Sequence, residues 1–258
     1  MKGTKTTALV LAVLLIAAEG NVAKYNHVAK LYFDDISPSI GKDVSPKWNL
    51  GQTATVNDYV DNTISMLVPF MQENGLDPMF LPDIVEGFEV RLLLITYSAW
   101  LKLQNGSMTG LVNVSRFEDQ LVNYFAKMLR VKVQLQFSDL EFNYDYLVKV
   151  MNIGPTGRIV GSLDRFRIVA DILIDFNNDE IHLQQFSLTD VGRLRVALRG
   201  NVLTDWLVNP VIRVFTTLFN GIIMWTVEST IRNVAQSAIT DINSAIREVI
   251  NQIESYNY

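Results

Sequence analysis

Acid–base or metal chemistry in this sequence would have to come from two histidines and a few neighbouring carboxylates. His27 and His182 lie far apart in the chain, and no His-x-x-x-His spacing of a metal site is present. The acidic pairs at positions 34–35 and 139–141 have no base beside them, which is typical of solvated loops. Cysteine is absent, and so are a Gly-x-Ser-x-Gly elbow and a phosphate-binding glycine loop. The sequence therefore predicts no catalytic site, no metal site and no cofactor.

Apolar binding is the chemistry that the composition does favour. The chain has 258 residues, of which 49% are hydrophobic and 19% are charged, so it is long and apolar enough to build a large core. The net charge of −5 argues against general nucleic-acid binding.

The first twenty residues resemble a secretory signal peptide. Lys2 and Lys5 form a positive start, an apolar run follows from Ala8 to Ala18, and Ala18-Glu19-Gly20 fits a small-x-small cleavage site. A buried N-terminal helix is the alternative interpretation. We therefore predict a secreted, extracellular protein that begins near Asn21.

Three further predictions concern the chain after the signal peptide. Residues 21–51 are polar and contain Ser-Pro twice, which predicts a mobile N-terminal segment. Residues 52–258 show no composition shift and are interpreted as a single domain. In a secreted protein the sequons at Asn105 and Asn113 become candidate glycosylation sites.

The C-terminal end is predicted to be one very long helix, from Asn209 to Ser255. Asn209 is a suitable N-cap and Pro210 a suitable first helical residue, and the helix would be roughly 70 Å long. Its first half, to Val227, is apolar around most of its circumference, and its second half carries a one-sided apolar stripe. Arg213 and Asn220 interrupt the run before about 20 apolar residues accumulate, so we predict a wrapped core helix and no transmembrane anchor.

A shorter helix is predicted from about Thr53 to Glu73. Its apolar residues recur at helical spacing, Asn74-Gly75 supplies the stop, and Pro69 should kink it.

Between the two helices, the hydrophobic pattern changes to strict alternation. Phe88 to Leu103, Phe125 to Phe137, Leu140 to Val148 and Phe166 to Phe176 are predicted strands, and further strands follow to Leu198. Asn105-Gly106 predicts a hairpin turn, and Asn177 to Asp179 another turn. The alternation indicates one antiparallel meander sheet with a single apolar face.

One arrangement buries both the apolar sheet face and the long helix. The predicted fold is α+β, with a curved antiparallel meander sheet rolled around the C-terminal helix and the N-terminal helix beside it.

Three stretches of the sequence resemble the group 7 mite allergens and their insect relatives. They are Asn74-Gly-Leu-Asp-Pro78 followed by Leu81-Pro-Asp-Ile84, Leu103-Gln-Asn-Gly-Ser-Met-Thr-Gly-Leu111, and Gly192-Arg-Leu-Arg-Val196 leading into Leu203 and the helix from Pro210. These allergens belong to a wider lipid-binding superfamily that includes juvenile-hormone-binding, takeout and bactericidal/permeability-increasing proteins. The resemblance implies the same rolled fold, an apolar pocket between sheet and helix, and an allergen-like protein that binds or transports lipids or other small hydrophobic ligands.

The predicted ligand-binding residues are large apolar side chains from the inner sheet face and from the first half of the long helix. A fully packed core is the alternative for the same residues. The predicted set is Val133, Leu135, Phe137, Ile168, Ile172 and Ile174 from strands, with Phe215, Leu218, Phe219, Ile222 and Trp225 from the helix.

A second function class remains open at this point. Arginines late in the sheet fall on its outward face, where they form either an ordinary solvated surface or a patch for anionic head groups. They are Arg165, Arg167, Arg193, Arg195 and Arg199. The two hypotheses are a secreted carrier of an apolar ligand, and a surface-binding or innate-recognition protein that makes peripheral contact with lipid-bearing or microbial surfaces.

Overall fold

The computed structural model describes residues 52–92, 94–151, 154–200 and 205–255. The predicted signal peptide at 1–20, the segment at 21–51, His27 and the acidic pair at 34–35 lie outside these residues.

The described chain forms ten strands and two long helical stretches. The strands are β1 Gln52–Thr55, β2 Met79–Leu81, β3 Ile84–Leu92, β4 Ile95–Thr109, β5 Val114–Arg116, β6 Leu121–Phe125, β7 Met128–Val150, β8 Thr156–Asp175, β9 Glu180–Thr189 and β10 Leu194–Gly200. The helices are α1 Asn57–Glu73, then α2 Asp205–Leu218, a π-helical turn Phe219–Ile223, and α3 Met224–Ser255, which follow one another without a break.

Two very long antiparallel strands, β7 and β8, form the centre of the single sheet. Along the free edge of β7 lie β4, β5 and β6 in turn, with β2 and β3 beyond β4 and β1 beyond β6. Along the free edge of β8 lie β10 and β9. The predicted α+β fold with one antiparallel sheet is confirmed, although the longest simple meander is the run of four strands from β6 to β9.

The sheet curls around the C-terminal helix. At one end of the sheet β3 and β10 are on opposite edges, and both contact α2. The rings of Phe215 and Phe219 pack on Phe142 of β7, with centroids 5.5 and 4.8 Å apart. The helical run of 14, 5 and 32 residues is about 76 Å long at about 1.5 Å per residue. The 23 residues of β7, at about 3.3 Å each, extend about as far.

Both central strands keep one apolar face although their alternation changes phase. In β7 the inward side chains are odd-numbered as far as Phe137 and even-numbered from Leu140 onward. Asp139, between them, has a positive φ of 53°. This conformation exchanges the faces to which odd- and even-numbered side chains point, without changing the register with β8. The two predicted strands, 125–137 and 140–148, are therefore one strand with a local change of face.

Several predicted boundaries were wrong. Asn105-Gly106 is no hairpin turn. It forms a bulge inside β4, where Asn105 has a φ of 52° and a Cβ on Gly106 would lie 2.2 Å from the Tyr144 ring. The long helix begins at Asp205, not at Asn209, and continues through Pro210.

The shorter helix also differs from the prediction at its start. It begins at Asn57, because Gln52–Thr55 pair with β6 as a strand. It continues through Pro69, and the predicted stop is confirmed, since Gly75 has a φ of 67° just after its C-cap.

The C-terminal helical stretch is long and apolar enough to cross a membrane by length and composition. Between Trp206 and Asn251 its most apolar window has a mean hydropathy of 1.5, and 39% of that window is buried. The core helix of a globular protein meets the same criteria, and this helix packs a row of side chains against the sheet.

Candidate functional site

An apolar cavity of about 220 Å³ lies between the sheet, α1 and the second half of the C-terminal helix. Three layers of the fold contribute to it, and its lining residues can be grouped by element. They are Thr63, Leu67, Phe70, Met71 and Leu76 from α1 and its end, Val114, Val133, Leu135, Phe137, Ile168, Ala170, Ile172, Leu183 and Phe186 from the sheet, and Ile231, Val234, Ala235, Ala238 and Ile239 from α3.

The lining is almost purely hydrocarbon. Among the described residues that line it, Thr63 has the one polar side chain and none is charged. Binding of an apolar ligand to such a surface is favourable, because it removes apolar area from water. The described lining offers no ionic group with which to bind a polar ligand.

The cavity lies between two closely packed regions. On one side is the main core, in which Leu101, Leu103 and Met108 are fully buried. On the other side is a smaller cluster around Ile174 and Ile242. Between them many large apolar side chains, including those of Leu67, Phe70 and Leu135, remain only partly buried. Apolar side chains that lie inside the fold but stay partly accessible indicate a cavity, because in a fully packed core they would be buried.

Small side chains on facing elements help to keep this space open. Ala235 and Ala238 lie on α3, and Ala170 lies on β8. At these positions a helix and a strand approach without long side chains to interdigitate, so the volume between them is not filled.

Most of the predicted strand residues meet at the cavity. Val133, Leu135, Phe137, Ile168 and Ile172 all line it. Ile174, the sixth, belongs to the smaller cluster and does not line the cavity.

The predicted helix residues lie elsewhere. Phe215, Leu218 and Phe219 are buried in the main core. Ile222 and Trp225 are exposed, with 45% and 66% of their surface accessible, so the prediction that they face a pocket between the sheet and the helix was wrong.

The reason for that error is that only one side of this part of the helix is covered. After Phe219 the buried residues are Ile223, Met224 and Val227, whereas Ile222 and Trp225 are exposed. The sequence analysis treated this half as apolar around most of its circumference, so hydrophobicity alone did not distinguish Ile222 and Trp225 from their buried neighbours.

The sequence analysis did not assign α1 and the stretch Ile231–Ile239 to the site. Both carry apolar stripes that were recognised as core-facing. The signal that distinguishes them is the alanine pair Ala235 and Ala238, at the point where the stripe faces the sheet.

The arginines on the outer face of the sheet are mostly paired. Arg165 and Arg167 lie 3.2 and 2.8 Å from Asp190, and Arg195 lies 3.1 Å from Asp164. These pairs neutralise much of the predicted arginine patch.

The remaining candidates for chemistry have structural partners. His182 Nε2 lies 3.5 Å from Glu180 Oε2 at the protein surface. The buried Tyr144 hydroxyl donates to the Pro82 carbonyl at 3.1 Å, and burial raises the pKa of Tyr144, so it remains a neutral donor. In the part of the chain that the structure describes, no group of three potential metal ligands lies close enough to hold an ion.

Both sequon asparagines are exposed, but their surroundings differ. The Asn105 amide nitrogen, which would carry the glycan, donates to Asp145 at 3.1 Å. Asn113 lies in the connection between β4 and β5, where its backbone N–H donates to the Gly110 carbonyl and its backbone carbonyl accepts from the Ser138 N–H, whereas its side-chain nitrogen has no hydrogen-bond partner among the described residues. Glycosylation at either site stays a prediction, and Asn113 is the site that loses no hydrogen bond.

Comparison with known proteins gives a family match. A family model described as "Group 7 allergen" matches residues 55–239. The chain belongs to the group 7 allergen family. The matched range contains every residue that lines the apolar cavity, from Thr63 to Ile239.

Individual relatives of this group 7 allergen family member are distant. It is 20% identical over 169 residues to mite allergen Der f 7 of Dermatophagoides farinae, which covers 65% of this chain and 78% of that protein. A crystal structure of Takeout 1 from Epiphyas postvittana aligns with a TM-score of 0.39 and 16% identity, over 76% of this chain and 92% of that one. A crystal structure of lipopolysaccharide binding protein aligns with a TM-score of 0.42 and 15% identity, over 75% of this chain and 39% of that one.

Proposed function

We propose that this group 7 allergen family member is a secreted carrier that holds a single hydrocarbon chain in the cavity between the sheet, α1 and α3. The observation that carries the proposal is the apolar lining, in which Thr63 is the one polar side chain among the residues that the structure describes. Membership of the group 7 allergen family supports the same function, because the sequence resemblance to that family implies binding of lipids or other small hydrophobic ligands.

The size of the cavity fits an alkyl chain better than a bulky polar ligand. An apolar protein cavity of about 150 Å³ accommodates a benzene molecule, and this cavity measures about 220 Å³. Each methylene removed from water contributes about 0.8 kcal/mol. A tail of about ten carbons therefore contributes about 8 kcal/mol, which corresponds to micromolar affinity before the entropic cost of binding is subtracted.

The lining also determines where a polar head group would lie. A carboxylate buried among these side chains would have no partner and would lose its hydration. We therefore infer that only the tail enters, and that the head group stays in contact with water.

The experiment is a titration of the delipidated protein with fatty acids of increasing length. Affinity should rise by about fourfold for each added methylene until the cavity is full, and should then level off. Mass spectrometry of the native, unextracted protein should find an apolar ligand. If no lipid accompanies the native protein and no fatty acid of any length binds, ligands do not enter the cavity and the proposed carrier function is refuted.

Secretion is tested separately. The extracellular protein should begin near Asn21, since residues 1–20 have the composition of a signal peptide. An extracellular product that retains Met1 would refute this.

Tryptophan fluorescence is a poor reporter for these titrations. Trp225 is exposed and does not line the cavity, so the ligand would not contact it. Direct calorimetry or displacement of a bound apolar dye measures occupancy without relying on that residue.

A further inference from the structure

The outer face of the sheet carries an open depression of about 590 Å³ across β10, β8 and β7. The strand register arranges its side chains in three parallel rows. The rows are Arg199, Arg158 and Asp145; then Ala197, Val160 and Asn143; then Arg195, Ser162 and Glu141.

The first row places two positive charges side by side. Arg199 and Arg158 are direct partners on adjacent antiparallel strands, and both are exposed on the outer face. Side chains in that relation have Cβ atoms about 4.5–5.5 Å apart, and like charges there destabilise the pairing. Arg158 is partly compensated, since it donates to Asp145 at 3.2 Å. Arg199 makes no ion pair or side-chain hydrogen bond with the described part of the chain.

Asp145 cannot neutralise both arginines. The same carboxylate also accepts a hydrogen bond from the Asn105 amide at 3.1 Å. Its charge is thus already shared between Asn105 and Arg158, on the side away from β10. One positive charge in the row is left without a counter-charge.

The middle row provides room for a ligand. Ala197 and Val160 are short and uncharged, and they form the floor of the depression. Rows on the same face are about 6.6 Å apart, because two residues separate them along each strand. The flexible side chains of Arg199 and Arg158 can therefore lean over the floor, and Ser162 and Asn143 offer polar groups at its border.

The third row limits where an anion can sit. Arg195 is held 3.1 Å from Asp164, and Glu141 adds a negative charge to the border of the depression. Glu141 repels an anion, whereas the Arg199–Arg158 corner attracts one. The site is therefore asymmetric, with its positive end at that corner.

We propose that this corner binds a tetrahedral oxyanion, namely the phosphate group of a phosphorylated ligand. Planar guanidinium groups donate paired hydrogen bonds to such an anion, and an anion between Arg199 and Arg158 would relieve their repulsion. The phosphate belongs either to a phospholipid head group at a surface or to a soluble phosphorylated molecule. The site lies on the opposite face of the sheet from the apolar cavity and does not depend on the carrier function.

The test is calorimetric titration of the full secreted chain with inorganic phosphate at low ionic strength. The variants are Arg199→Gln and the double variant Arg158→Gln/Arg199→Gln. Arg213→Gln is the matched control, because Arg213 is an exposed arginine on α2 whose side chain has no described partner. Loss of charge-assisted hydrogen bonds should weaken phosphate binding by about tenfold or more in the double variant. The control should change it by less than about twofold, since exposed charges far from the site are screened.

A second experiment distinguishes a phospholipid head group from a soluble phosphorylated molecule. Cosedimentation compares vesicles of phosphatidylcholine alone with vesicles that also contain phosphatidic acid. Selective pelleting with phosphatidic acid that is lost in the double variant indicates a lipid head group. Binding of free phosphate without pelleting indicates a soluble ligand. Either result supports the site.

Two outcomes would overturn the proposal. One is the absence of phosphate binding at low ionic strength, and the other is an equal loss in Arg213→Gln, which would mean a general effect of net charge. A folding artefact is excluded by Arg199→Lys, which keeps the charge and removes the planar fork. It should melt like the wild type and bind phosphate more weakly.

Discussion

Replacing Ala238 by leucine should distinguish an open cavity from a packed core by the sign of its effect on stability. Ala238 lies on α3 and lines the cavity. Leucine adds three carbon atoms, and if they occupy empty apolar space they stabilise the fold by up to about 2.4 kcal/mol, at about 0.8 kcal/mol each. In a core that is already filled, the same enlargement destabilises by about 1–3 kcal/mol.

Ala99→Leu is the matched control. Ala99 is 1% exposed in the main core, where neighbouring side chains leave no comparable space. The assay is urea denaturation of the delipidated proteins, which gives the free energy of unfolding of each variant. Ala238→Leu should be neutral or stabilising, and Ala99→Leu destabilising.

The same variant should also weaken ligand binding. Three leucine carbons displace about three methylenes of a tail that fills the cavity, which lowers affinity by about 50-fold for the longest ligands. Short ligands should be affected less. If Ala238→Leu destabilises the fold as much as Ala99→Leu does, the space is already filled and the reasoning about the cavity is refuted.

Three further predictions concern stability. Ile223→Asp should cost several kcal/mol in a denaturation assay, because Ile223 is fully buried, whereas the adjacent Ile222→Asp should be mild; equal melting temperatures would contradict the register assigned to the helix. Gly221→Ala should stabilise the helix by roughly 0.5–1 kcal/mol, since nothing lies within 4 Å of the added Cβ; a lower melting temperature would count against it. Hydrogen bonding from Arg116 lowers the pKa of Asp61 below 3.8, so this contact between α1 and β5 should stabilise the fold above that pH and be lost as the pH falls through the lowered pKa; an Asp61 pKa at or above 3.8, measured by NMR, would rule this out.

The sequence pattern was sufficient to predict the layers of the fold. Strict alternation identified the long strands and their apolar face, because a half-buried sheet requires that period. It could not show that the stretches on either side of Asp139 form one strand, since a single positive φ reverses the alternation in the same way as a turn would. Asn105-Gly106 was misassigned for a related reason, because bulges and hairpin turns select the same residues.

The site was predictable only in part. The strand residues Val133, Leu135 and Phe137 follow from the apolar face, and they line the cavity. Which part of the helix faces them was not predictable from hydrophobicity, because the most apolar half fills the closed core. A cavity is a volume between elements that side chains do not fill. Whether one forms depends on how far Ala238 and Ala170 lie from their neighbours on other elements, and the sequence of a single segment does not contain those distances.

The π-helical turn has a consequence for how the length of this helix can vary. A turn of this kind is an α-helical turn with one residue inserted, and the flanking halves keep their relative orientation. Deleting one residue between Phe219 and Ile223 would therefore leave Phe215 and Ile231 in phase on the sheet. The same deletion at Ser237 would rotate everything beyond it by about 100° and turn Ile239 away from the cavity wall. The centre of the helix is thus a place where relatives can differ in length by one residue without changing the site.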